Sequence, residues 1–84
     1  MEIAEFQRLM RVTYGERDRA RGTTASLAWL LEEAGELAQA VRKGSEADRL
    51  HELGDVLAWL ASLANQLGLS LDDAAQRYVT DPPR

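Results

Sequence analysis

The sequence predicts an all-α domain of four helices, and three observations predict it. Apolar residues recur at intervals of three and four along most of the 84-residue chain. Ala and Leu dominate the hydrophobic content, a mix that favours closely packed helices over a sheet. Helix-ending glycines and helix-opening serines, at Gly44-Ser45 and from Gly68 to Ser70, punctuate these stretches, and no segment reads as a credible strand.

The first helix is expected from about Ile3 to Tyr14, with Ile3, Phe6, Leu9, Met10 and Thr13 on one stripe. Gly15 is expected to stop it, followed by a polar segment from Glu16 to Gly22. Thr23 or Thr24 is the expected N-cap of the second helix, whose stripe is Leu27, Leu30, Leu31, Ala34, Leu37, Ala38 and Val41. Arg42 and Lys43 suit its negative end, and Gly44 suits the position beyond. Ser45-Glu46-Ala47-Asp48 reads as a capping box that opens the third helix. Its stripe runs Leu50, Leu53, Val56, Leu57, Leu60, Leu63, Ala64 and Leu67. From Val56 to Leu67 almost every direction is apolar or small, so this helix is expected to be buried between neighbours. Gly68 ends it, Ser70 caps a short fourth helix reaching about Val79, and Pro82-Pro83 closes the ordered chain. No linker divides residues 1–84, which are expected to form a single domain. A chain this short with broad apolar faces is expected to complete its core by oligomerising.

The spacing of the acids is the main chemical signal. Glu33/Glu36 and Glu52/Asp55 are each i,i+3 pairs, so both side chains of a pair project from one helix face. If the second and third helices fold back at Gly44-Ser45, both pairs lie roughly 14–15 Å from the turn and meet at one level. Four converging carboxylates repel strongly unless a cation sits among them, which predicts a divalent metal site. A ligand set of carboxylate oxygens suits Mg²⁺, with Mn²⁺ as a substitute. His51 stands beside Glu52 and not three residues after a glutamate, so a di-iron centre is excluded and His51 reads as a surface or supporting residue. Glu32 lies one turn before Glu36, where it could hold a second ion or accept a proton from a metal-bound water. The tetrapeptide Leu-Ala-Trp-Leu occurs twice, bringing Trp29 and Trp59 to the same level one turn beyond the acidic pairs. That arrangement reads equally as aromatic surface beside the metal or as ordinary packing.

A formal charge of −4 argues against a nucleic-acid polymer as partner, since phosphate neutralisation needs a cationic surface. No stretch approaches the roughly 18 apolar residues that cross a membrane, and the N-terminus has no signal-peptide pattern, so a cytoplasmic location is expected. With no cysteine, neither disulfides nor thiolate metal sites are available.

The pattern Glu32-Glu33-x-x-Glu36, a spacer, then Glu52-x-x-Asp55 resembles the signature of the MazG-like all-α nucleoside triphosphate pyrophosphohydrolases. Tyr14-Gly15-Glu16-Arg17-Asp18, Arg21-Gly22, the run from Trp29 to Ala38 and the run from Glu52 to Leu60 are similar to the small stand-alone members. The resemblance implies hydrolysis of a (deoxy)nucleoside triphosphate to monophosphate and pyrophosphate. It implies Mg²⁺ held by Glu33, Glu36, Glu52 and Asp55, with Glu32 assisting a second ion or the attacking water. It also implies a homodimer or a homotetramer, with helices of two subunits forming the site. A bound triphosphate needs further cations, for which Arg17, Arg21 and Lys43 are candidates. Asn65 is similar to an asparagine near this point in relatives and could meet a base edge, a sugar hydroxyl or only its own core. Many relatives carry lysines in a longer C-terminal helix; the end of this chain has none, so Arg77 would serve. The competing expectation is a non-catalytic helical oligomerisation or regulatory module that binds metal or nucleotide.

Overall fold

The computed structural model describes residues 1–83; Arg84, the last residue of the expected domain, lies outside the described residues. Four helices account for almost all of them: α1 (Ile3–Arg21), α2 (Thr23–Lys43), α3 (Glu46–Leu67) and α4 (Leu71–Thr80). The long helices α2 and α3 form an antiparallel hairpin, α1 packs across α3, and α4 lies against α1. Among the described residues there is no strand, and no helix is long and apolar enough to cross a membrane.

The first helix departs from expectation. It does not stop at Gly15 but continues through the supposed polar segment to Arg21. A helical glycine costs only about 1 kcal/mol relative to alanine, and contacts further along outweigh it. Asp18 is buried in the last turns, and the Arg21 guanidinium lies 4.7 Å from the centre of the Trp59 ring on α3. Gly22 is the residue that breaks the helix. Its φ of 87° and ψ of 162° lie where a side chain is strained, and it closes α1 and opens α2 at once. Its amide donates to the Asp18 carbonyl and its own carbonyl accepts from the Ser26 amide. Thr23 and Thr24, expected as caps, are therefore the first two residues of α2, which has no side-chain cap.

The turn between α2 and α3 follows the expected chemistry. Ser45 Oγ accepts from the Asp48 amide at 3.1 Å and the Asp48 carboxylate accepts from the Ser45 amide at 2.9 Å, completing the capping box. Gly44 is required here by space: a Cβ at this position would come within 2.8 Å of the Ala40 carbonyl oxygen. Arg49 reaches back to the Ala40 and Val41 carbonyls and satisfies the end of α2. Ser70 caps α4 through the Asp73 amide, and that helix ends at Thr80, one residue past the expected end.

The core is thin. Met10, Ala40, Ala61 and Ala64 are the buried hydrophobic residues among those described, joined by Ser26 and Ser62 where helices approach closely. The expectation that α3 is enclosed on every side is not met within one chain. Leu50, Leu53, Leu57 and Leu60 remain exposed along it, as do Leu27 and Leu31 on α2. The accessible surface of 6260 Å² compares with about 5,000 Å² for a compact monomer of this mass.

Candidate metal and nucleotide site

The hairpin register brings the predicted ligands together. Ser26 meets Gln66, Trp29 meets Trp59 and Ala40 meets Arg49, so paired residue numbers sum to nearly the same value down the whole hairpin. At the middle of that ladder, Glu33, Glu36 and Glu52 each offer a carboxylate oxygen within 4.8 Å of the others. Asp55 joins Glu52 and His51 in a second group of the same tightness, so Glu52 is common to both. His51 Nε2 lies 3.3 Å from Asp55 Oδ2, one turn along α3. Glu32 stays outside both groups and is exposed.

The electrostatics of this cluster are those of a site built for positive charge. Burial pushes the Glu33 carboxyl up to about 6, and the neighbouring carboxylates Glu36, Asp55 and Glu52 add to the rise. Burial also raises Glu52, with Glu36 and Asp55 contributing and His51 opposing. Glu33 Oε2 and Glu52 Oε2 are both shielded from solvent, and neither has a hydrogen-bond partner. Buried carboxylate oxygens with no donor are costly. Two of them in one carboxylate cluster fit an oxygen-seeking divalent cation such as Mg²⁺.

Beyond the acids the indoles stack on each other, with ring centres 5.6 Å apart and planes inclined by 10°. Their mutual faces are therefore closed, the Arg21 guanidinium lies over the Trp59 ring at 4.7 Å, and the exposed indole of the pair is Trp29. A cavity of about 460 Å³ opens between α1 and α3, lined among others by Tyr14, Arg17, Asp18, Arg21, Asp55 and Trp59. It thus joins one predicted metal ligand, two predicted phosphate-binding arginines and one indole. A separate groove of about 510 Å³ brings Lys43 to the same space as Glu36 and Glu52, nearer than its place at the turn suggests.

Asn65 and Arg77 are not brought to this cavity. Asn65 lies ten residues beyond Asp55, roughly 15 Å along α3, and its amide is occupied: Gln7 Nε2 donates to its Oδ1 and its Nδ2 donates to the Gln7 carbonyl, both at 3.0 Å. Arg77 sits on α4 with its guanidinium 5.9 Å from the centre of the adjacent Tyr78 ring. Gln7 and Ser26 carry no sequence signal of a role, and Asp18 stands out only as part of the family-like run from Tyr14 to Asp18, in what reads as a polar segment between helices. All three are buried, and Asp18 is only 2% exposed. Its i,i+3 spacing to Arg21 is a second signal, but such pairs are so common on helix surfaces that it carries little weight.

A family model described as the MazG nucleotide pyrophosphohydrolase domain matches residues 21–80, a span that includes every predicted metal ligand and both indoles. The chain is also similar to "Uncharacterized protein YvdC" of Bacillus subtilis (strain 168), with 32% identity over 95 residues, 93% of this chain and 90% of that one.

Proposed function

The chain belongs to the MazG nucleotide pyrophosphohydrolase family, and on that premise we propose that it hydrolyses (deoxy)nucleoside triphosphates to monophosphate and pyrophosphate with Mg²⁺, or Mn²⁺ in its place. In this reading it clears unwanted nucleotides from the cytoplasmic pool. The observation that supports the metal requirement best is the pair of partnerless buried oxygens, Glu33 Oε2 and Glu52 Oε2, within the carboxylate cluster. Glu33, Glu36, Glu52 and Asp55 would hold the ion, which when bound lowers the pKa of a water and offsets charge on the departing pyrophosphate.

Glu32 takes the proton of the attacking water as its oxygen bonds to the α-phosphorus and the bond from that phosphorus to the pyrophosphate oxygen breaks. Arg17 and Arg21, lining the cavity that also contains Asp55, counter the phosphate charge. Trp29, stacked on Trp59 and 44% exposed, offers the base an aromatic surface, while Trp59 lies between Trp29 and the Arg21 guanidinium and backs the pair from within the cavity. Asn65 and Arg77 take no part from within the same chain. The active unit is a homodimer or homotetramer, a reading supported by the leucines left exposed on α2 and α3.

Incubating the purified protein with each common nucleoside triphosphate and Mg²⁺, and separating the products, tests the reaction directly. The absence of monophosphate plus pyrophosphate from every substrate would sink it. The exposed apolar faces also favour a second reading, a non-catalytic oligomerisation or regulatory module. The substitution Glu33→Gln separates the two: an enzyme loses turnover while staying folded, whereas such a module keeps its partner binding.

A further inference from the structure

Asp18 is the most buried carboxylate of the described chain, and the proposed reaction makes no use of it. It is 2% exposed. Oδ1 accepts a hydrogen bond from Arg21 Nη1 at 2.7 Å, while Oδ2 has no partner. The same Nη1 lies 3.4 Å from Ser26 Oγ, and Ser26 is completely buried and in turn accepts from Gln66 Nε2 at 2.8 Å. One guanidinium is thus tied to α1 by Asp18, to α2 by Ser26 and to α3 by its stacking on Trp59 at 4.7 Å. Arginine loses less freedom per contact than lysine when its planar fork is held in this way. All the bonding falls on one nitrogen. Among the described residues, Nε and Nη2 of Arg21 donate to no side chain or carbonyl. Arg21, Asp55 and Trp59 line one cavity, and Trp59 follows Asp55 by a single helical turn.

We propose that Asp18 is a positioning residue: it fixes the Arg21 guanidinium against Trp59 beside the carboxylate cluster, leaving the rest of the fork directed at the phosphates of a bound nucleotide. This rests on the cavity being a nucleotide site. Burying a carboxylate is costly, and here its negative charge is matched by the cation it orients. A fixed arginine binds phosphate with its geometry already set, which reduces the ordering cost of binding.

The test is a double-mutant cycle, Asp18→Asn and Arg21→Lys, read as the dissociation constants of the four α,β-imido nucleoside triphosphates in the presence of Mg²⁺. Each single substitution is expected to weaken binding about tenfold, the effect of losing one hydrogen bond to a charged group. The double substitution is expected to weaken it no further, because both changes disable one guanidinium. Unchanged binding, losses that multiply in the double variant, or no binding to the unaltered protein each overturn the proposal. Far-UV circular dichroism of the stacked Trp29–Trp59 pair checks that each variant keeps its fold. Should Asp18→Asn not fold, the guanidinium resonance of Arg21 in the unaltered protein decides instead. It is expected to be resolved and to shift on adding the analogue; a resonance averaged with the free arginines, or one that does not shift, overturns the proposal. If hydrolysable triphosphates bind but are not cleaved, the pyrophosphohydrolase reading falls and the binding cycle still judges Asp18.

Discussion

Glu33 concentrates the chemistry of the molecule in one side chain. Its carboxyl is lifted to about 6 by burial and by the neighbouring acids, and one of its oxygens is buried without a partner. In the proposed enzyme, replacing it with Gln keeps the shape and removes a ligand. Turnover is expected to fall by at least about a hundredfold, with the melting temperature of the metal-free protein unchanged or raised. The pH dependence has a definite sign. The ordinary value is 4.5, so between about 4.5 and 6 the folded metal-free chain binds a proton that the unfolded chain does not. Stability from this group is therefore present at low pH and lost as pH rises through about 6. Metal-free protein is expected to gain melting temperature on going from pH 7 to pH 5 relative to Glu33→Gln. A difference between the two that does not change with pH removes this account. Protons and Mg²⁺ compete for the same oxygens, so Mg²⁺ affinity measured by titration calorimetry should decline as pH drops below about 6.

At the scale of elements, each helix junction depends on a different kind of contact. The α2–α3 turn is held by the capping box of Ser45 and Asp48, and Ser45→Ala is expected to cost about 1 kcal/mol in denaturant unfolding. Gly44→Ala should cost more, about 1–3 kcal/mol, because its Cβ would meet backbone atoms of Ala40 at 2.8 and 2.9 Å. If Ser45→Ala proves the worse of the two, close packing is not what makes this turn need glycine. The α1–α3–α4 junction instead depends on Gln7. Its amide donates to Asn65 and to the Leu69 carbonyl, and its oxygen accepts from the Leu71 amide. Removing it strands several part-buried groups at once, which explains how a polar residue comes to be among the most buried on α1.

At the scale of the whole molecule, the chain is more extended than a compact monomer of its length. The radius of gyration is 13.8 Å, against about 12 Å for a compact chain of this length. Leu50, Leu53, Leu57 and Leu60 form one exposed stripe on α3. In the proposed dimer or tetramer that stripe is covered, so sedimentation equilibrium should show self-association and the melting temperature should rise with protein concentration. The double substitution Leu53→Glu and Leu57→Glu is expected to abolish both effects. A wild-type protein that sediments as a monomer at all concentrations would rule out the oligomeric reading.

Much of this was legible in the residues alone, wherever local rules govern. The helical class, the Gly44-Ser45 turn, the capping box and the meeting of Glu33 and Glu36 with Glu52 follow from periodicities and spacings that act within a few residues or across one hairpin. By itself the sequence determined that two acidic pairs share one level. The tertiary structure decided that α1 runs past Gly15, that Asn65 bonds to Gln7, and that the two indoles stack on one another. It also decided that Asp18 is buried and that the Arg21 guanidinium lies over Trp59 of α3. Each of these depends on contacts between residues far apart in the chain, whose free energy exceeds the roughly 1 kcal/mol of local preference they override. Local preference is written in neighbouring residues. The choice among distant partners exists only once the helices have packed.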